Sequence, residues 1–308
     1  MQGFATVVDP VVPARAFMTD DAVEVLRFAA DALESGHSVA LATLVDIRGG
    51  SARPLGSHMA IRDDGLYCGF VSGGCTEAAV ASEAVQAIEN GCDRNLLLGE
   101  GSPFFDIVLP CGGGITIAIH VVRDSVPLRG ILLEIGGRRH ASLRYVPAQQ
   151  TLSLGSVTEP TGWYGDGFIT HYRPQVRVVL AGRSIEVAVA AKVAAAAGYD
   201  VRCYDGSTNV VEDLAIDQDT AVALLYHDIE FELPVLAKVL RSKPFYIGAL
   251  GSTRTHARRT ERLRELGYSQ VDIARIKSPI GIFNKARDAH SLALSVLADV
   301  AGGRILIG

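Results

Sequence analysis

The apolar positions of the chain change period several times, and each change marks an element. Val23, Leu26, Ala30 and Leu33 share one face of a helix that Asp20 or Asp21 can cap and Gly36 ends. Val80, Ala84 and Ile88 predict a second helix over 76–90, with Gly91 as its stop. Between them the period shortens. Residues 39–47 read as a buried strand, and 59–61 with 67–71 flank Asp63-Asp64-Gly65 as a hairpin. Strands follow at 95–98, 105–109 and 115–122. Residues 126–172 hold short apolar stretches broken by Gly136-Gly137, Pro147 and Pro160, and read as a connecting β segment. From Arg177 strand and helix alternate: strands at 178–180, 201–204, 221–225 and 245–249, helices at 186–197, 234–240, 255–266 and 289–300.

These elements predict an α/β chain in three parts. A small N-terminal α+β domain covers 1–125, the connecting β segment 126–172, and a Rossmann-like, doubly wound parallel sheet domain 173–308. The 308 residues suit about two domains at ~150 residues each. With 48% hydrophobic and 20% charged residues the composition is that of a globular protein. A net charge of −5 argues against a general nucleic-acid binder, whose affinity rests on neutralising phosphates. No signal peptide is read in the first twenty residues, and no apolar run reaches the roughly 18 residues of a membrane span. The expected address is the cytoplasm, where five cysteines without paired zinc spacing are expected as free thiols.

Candidate chemistry gathers at Val71-Ser72-Gly73-Gly74-Cys75-Thr76-Glu77, a strand end running through two glycines into a helix. Gly73 and Gly74 let a tight turn bring amides close to a ligand. A cysteine at a helix start is expected to have a lowered pKa, and its thiolate can bind soft metal or sulfur. The alternative is that Cys75 is a small buried residue filling a helix–strand junction. Pro110-Cys111-Gly112-Gly113-Gly114 is a second such turn, either part of a shared pocket or unrelated to the first. Arg53 and His58 sit on the glycine- and proline-rich loop 49–59.

In the second domain the first strand–helix turn reads Leu180-Ala181-Gly182-Arg183-Ser184-Ile185, retaining only the middle glycine of a dinucleotide fingerprint. Gly182 allows close approach, Arg183 can contact phosphate, and Asp205 stands where a ribose-binding acid is expected, so NAD(P) or another nucleotide is a candidate ligand. Arg254, Arg258 and Arg262 make one basic helix face, either solvated or an anion or partner site.

Several strings together resemble the XdhC/CoxI/CoxF family, accessory proteins that mature xanthine dehydrogenase and related molybdenum hydroxylases. They are Gly50-Ser51-Ala52-Arg53-Pro54-Leu55-Gly56, the two cysteine turns, Gly248-Ala249-Leu250-Gly251-Ser252 and Ser278-Pro279-Ile280-Gly281. The likeness runs over roughly 20–300. It implies a non-catalytic chaperone that binds molybdenum cofactor (molybdopterin), shields it during sulfuration and delivers it to an apo-hydroxylase of the xanthine dehydrogenase type. A cysteine desulfurase is the implied second partner, and a homodimer the implied assembly. The resemblance links cofactor binding to Cys75, with Cys111 in the other cysteine motif; by their chemistry Cys75 suits the metal end, and Arg53 and the Gly73 and Gly74 amides are candidates for the anionic parts. The chain departs from the family at Leu180-Ala181-Gly182, at Tyr226 before His227, and after Gly281, where Ile282 follows. Two other readings stand beside the chaperone: an NAD(P)-dependent oxidoreductase working in the second domain, and a maturation scaffold that binds no cofactor.

Overall fold

Residues 11–99, 112–206, 215–283 and 285–306 are described in a computed structural model. The chain divides into two units, 1–174 and 175–308. The first unit runs β1 (Ala14–Arg15), α1 (Ala22–Glu34), β2 (Val39–Arg48), β3 (His58–Arg62), β4 (Leu66–Gly69), α2 (Glu77–Asn90), β5 (Arg94–Gly99) and β6 (Gly114–Val122), then α3 (Val126–Gly136), β7 (Ala141–Val146), β8 (Thr151–Leu154), β9 (Gly162–Tyr164) and β10 (Gly167–Tyr172). A six-stranded sheet has the order β1-β4-β3-β2-β6-β5 and a four-stranded one β8-β7-β10-β9.

The long antiparallel pair β2–β6, in register from Val39↔Val122 to Arg48↔Gly114, organises the larger sheet. Side chains alternate faces along a strand, so β2 serves two cores at once. Ala40, Ala42 and Leu44 pack in one with Val80 and Ala84 of α2, while Val39 and Leu41 pack in the other with Leu26 of α1 and Leu128 of α3.

The stretch expected as a connecting β segment lies inside the first unit and opens with a helix. Leu128, Ile131 and Ile135 of α3, Leu143 of β7 and Tyr172 of β10 share the core built around α1. Gly130, Gly136 and Gly137 hide the helical period, and Pro127 reads as a break although proline is well placed in a first helical turn.

The second unit runs β11 (Arg177–Ala181), α4 (Ile185–Ala196), β12 (Asp200–Tyr204), β13 (Thr220–Leu224), α5 (Ile229–Arg241), β14 (Tyr246–Ala249), α6 (Thr253–Glu265), α7 (Gln270–Ala274), β15 (Ile276–Lys277) and α8 (Ala289–Leu306). Its strands are all parallel, in the order β12-β11-β13-β14-β15. Val178, Leu180, Ala221 and Ala223 pack with α4 and α8, and Val179, Ala181, Val222 and Leu224 with α5. Covering both faces is what makes these strands unbroken apolar runs. The expected start of α5 at Pro234 falls inside the helix, because Asp228 caps it earlier by accepting from the Glu230 amide at 3.0 Å.

Counter to the expectation of no such stretch, α8 reaches the length and mean hydropathy, 1.2, of a minimal membrane span. It lies against α4 and buries Ala293, Val296, Leu297 and Val300 in the core of the second unit.

On the α5 face the Arg259 guanidinium is fully buried. It donates twice to Glu232, at 2.5 and 3.0 Å, and also to the Leu250 carbonyl and Ser278 Oγ. Burial raises the Glu232 pKa and Arg259 opposes that rise. Removing one partner strands a buried charge, so Arg259→Met is expected to destabilise the second unit by about 3–5 kcal/mol, whereas Arg259→Met with Glu232→Leu recovers most of the loss. Urea unfolding checks this; a single variant within about 1 kcal/mol of the wild type contradicts it.

Candidate functional site

Three loops of the first unit converge beyond its strand ends. The first, 49–57, leaves β2. Ser51 Oγ accepts from the Arg53 amide at 3.2 Å and donates to the Arg53 carbonyl at 2.9 Å, which fixes the turn that presents Arg53. The Arg53 guanidinium donates to Asp20 at 2.9 Å and lies 5.0 Å from the centre of the Phe70 ring. Arg15 lies 4.5 Å from the same ring. Cations near an aromatic face are attracted by its quadrupole, so Phe70 anchors both.

The second loop joins β4 to α2 and is tied from within. Glu77, the first residue of α2, is fully buried. Its carboxylate accepts from the amides of Val71 (3.3 Å), Ser72 (2.9 Å) and Thr76 (3.2 Å) and from Ser72 Oγ at 2.9 Å. With the acid turned inward, Gly73, Gly74 and Cys75 are exposed. Gly74 has φ +105°, a conformation open to glycine, and its amide reaches Ser72 Oγ at 3.3 Å. Cys75 Sγ lies 4.0 Å from the same hydroxyl. Thr76 occupies the cap position of α2 without making a side-chain cap, and its Oγ1 is buried with no hydrogen-bond partner. The start of this helix therefore offers amides that no side chain caps, next to an exposed thiol.

The third loop precedes β6. Cys111 lies outside the described residues, but Gly112 and Gly113 do not. A Cβ on Gly113 would stand 2.5 Å from the carbonyls of Arg48 and Gly50, so this second glycine turn sits directly on the first loop. One on Gly73 would stand 3.5 Å from Ala52 Cβ, on that same loop. Both cysteine motifs thus adjoin 49–57, and Cys75 is exposed rather than buried as a junction filler. Cys68, in contrast, is buried in the core, and burial pushes its thiol up to about 12, away from reactivity. Among the described residues the one group of three or more metal-type ligands is His37, Asp63 and Asp64, which does not include Cys75.

Beside Arg53 and Phe70 is a pocket of ≈ 200 Å³ that reaches His58, His171 and Tyr172. His58 is buried, 3.0 Å from Thr43 Oγ1 and 2.5 Å from the Tyr172 hydroxyl. Burial lowers its pKa to about 3 and raises that of Tyr172 above the usual phenol range.

In the second unit the structure brings Gly182, Arg183 and Asp205 together. A Cβ on Gly182 would stand 2.8 Å from the Leu225 carbonyl, which explains the one retained glycine. Arg183 donates to the Asp205 backbone carbonyl at 2.6 Å and lies 4.7 Å from the Phe231 ring. On α6, Arg254, Arg258 and Arg262 are exposed, with Arg262 paired to Glu230 and Glu265. Sequence reasoning gave no role to Glu77, Ser72 or Phe70; the one available signal was an acid two residues after Cys75, where a helix start invites a cap instead.

Two family models match the chain: "XdhC and CoxI family" over 32–98 and "XdhC Rossmann domain" over 178–300. The molybdenum cofactor insertion chaperone PaoD of Escherichia coli (strain K12) is 52% identical over 293 residues, spanning 95% of this chain and 92% of its own. The uncharacterized protein YqeB of the same strain is 26% identical over 270 residues, 87% of this chain and 44% of its own. Among solved structures, a Bacillus halodurans protein described as a xanthine dehydrogenase has TM-score 0.72 and 17% identity, with 93% of this chain and 96% of its own covered, a likeness of fold.

Two variants test the buried groups. Glu77→Gln turns an amide donor toward donor groups and is expected to cost about 2–3 kcal/mol, lowering the unfolding midpoint by several degrees. An unchanged midpoint would remove the carboxylate from its organising role. For His58 the folded pKa, about 3, lies below the ordinary 6.5. The unfolded chain therefore takes up a proton first as pH falls through 6.5, and stability drops toward pH 3 by up to about 1.4 kcal/mol per unit. Above 6.5 the contribution is complete. Unfolding free energies from pH 7 to 4 should fall more steeply in wild type than in His58→Gln; parallel curves contradict this.

Proposed function

The chain belongs to the XdhC and CoxI family, and on that footing we propose that it is an accessory carrier, not an enzyme, which holds molybdenum cofactor in its first unit and delivers it to an apo molybdenum hydroxylase of the xanthine dehydrogenase type. The 52% identity to a molybdenum cofactor insertion chaperone supports the role. The observation that carries the site is the exposed Cys75 thiol between Gly74 and the uncapped start of α2. A thiolate suits a soft, sulfur-rich molybdenum centre. The Gly73 amide and the amides of the first turn of α2, which no side chain caps, suit a phosphate, and Arg53 adds a cation.

A single exposed ligand also suits a cargo that must leave. Resident metals are enclosed by three or four protein ligands with supporting hydrogen bonds, whereas Cys75 belongs to no such group among the described residues. Cys111, on the loop that Gly113 seats against Gly50, is the candidate second contact. In this reading a cysteine desulfurase supplies sulfur to the held cofactor, and the carrier works in the cytoplasm as a homodimer.

Anaerobic binding of isolated molybdenum cofactor to the purified chain tests the proposal. Wild type is expected to bind stoichiometrically, Cys75→Ala to weaken binding at least about tenfold, equivalent to ~1.4 kcal/mol, and Arg53→Ala a few-fold. Absence of binding by wild type, or full binding by Cys75→Ala, would sink the assignment.

A further inference from the structure

The second unit gathers polar side chains at a strand-end switch point that the carrier role leaves unused. The helices after β11 and β13 lie on opposite faces of the sheet, α4 with α8 and α5 on the other side, so the chain parts between these two strand ends. In open parallel sheets such a switch point is where ligands enter. Tyr226 Oη is buried there with no hydrogen-bond partner, while the Ser184 hydroxyl faces the Glu186 carboxyl and holds its pKa below the usual range. Tyr226 is 6% exposed, so its hydroxyl is withheld from both solvent and protein. Leaving a buried polar group unpaired costs about 1–3 kcal/mol, which a ligand can return.

The polar groups fall in two sets: burial raises the Tyr226 pKa, the nearby Asp205 carboxylate adds to the rise, and the Arg183 cation opposes it. On one side Arg183 Nη2 and Tyr226 Oη flank Gly206, lying 3.3 and 3.5 Å from where its Cβ would be. On the other, Ser184 caps α4 in sequence, and the Glu186 carboxylate lies 4.0 Å from His227 Nε2. A dinucleotide would place its pyrophosphate on the first amides of α4, but Glu186 already puts a negative charge in that turn. Carboxylate and hydroxyl acceptors suit the hydroxyls of a sugar instead. Phe231, 53% exposed beneath Arg183, and Ile185, 66% exposed, add apolar surface there.

We propose that this switch point binds a nucleoside monophosphate, with its phosphate between Arg183 and Tyr226 and its ribose hydroxyls on Ser184 and Glu186. The ribose role thus passes from Asp205 to Glu186, and the site does not depend on cofactor binding at Cys75.

Isothermal titration of the full chain with the four ribonucleoside monophosphates, ribose 5-phosphate, inorganic phosphate and NAD provides the test. At least one monophosphate is expected to bind one-to-one, more tightly than either phosphate alone or NAD. Arg183→Ala should weaken it about tenfold or more and Tyr226→Phe a few-fold, with unfolding midpoints unchanged. Glu186→Gln should narrow the preference over NAD and erase the difference between ribo- and 2′-deoxyribonucleotides. The proposal is overturned if no monophosphate binds, if NAD binds more tightly than the monophosphates, or if inorganic phosphate binds equally well. Affinity unmoved by both Arg183→Ala and Tyr226→Phe overturns it too.

Discussion

The carboxylate of Glu77 decides the shape of the Cys75 loop. An acid in the first turn of a helix ordinarily faces outward and answers the positive end of the dipole. Here it is fully buried and turned back to three amides and a hydroxyl of the preceding six residues. Burying a carboxylate is unfavourable unless its acceptor sites are filled, and this one is filled entirely by the loop it shapes. The chain from Val71 to Thr76 must therefore curl around a fixed point. Gly73, Gly74 and Cys75 form the outer arc of that curl, and the counter-charge at the start of α2 is turned inward onto the loop's own amides.

The same logic of close approach joins the other two loops. Gly113 lies so near the carbonyls of Arg48 and Gly50 that no side chain fits between them, and Gly74 adopts a backbone angle that favours glycine. β2 and β6 end together at Arg48 and Gly114, so the strand register carries the second glycine turn to the first loop. The second unit repeats the device at Gly182, pressed against the Leu225 carbonyl where β11 and β13 part. In each case the missing side chain is what lets two segments meet.

Much of this was legible in the chain itself. The helix over 76–90, the strand opening at Val39 and the alternation after Arg177 follow from period alone, because each has one dominant buried face or two covered ones. α3 escaped because glycine and proline masked its spacing, and α7 because five residues are too few for a period to emerge. At the site, Cys75 and its glycines stood out as chemistry-bearing types in a turn. Glu77 and Tyr226 did not, since a buried carboxylate and an unpaired phenol are defined by what surrounds them in space. Arg254, Arg258 and Arg262 on α6 read as one basic face and are exposed, whereas their fully buried neighbour Arg259, which the spacing did not single out, answers to Glu232 on a different helix.

Among the described residues Cys75 stands in no group of metal-type ligands, and for the carrier proposed above that bears on time as well as affinity. Chelated groups leave slowly because several bonds must break together and any one can re-form first. A group held through one sulfur leaves in a single event, and an incoming nucleophile can begin to attach before the old bond has parted. Exposed beside bare glycine backbone, Cys75 leaves that approach sterically open. Under the proposed carrier role, residence at such a point would be set by who arrives next, so the thiol would act as a clock wound by its recipient.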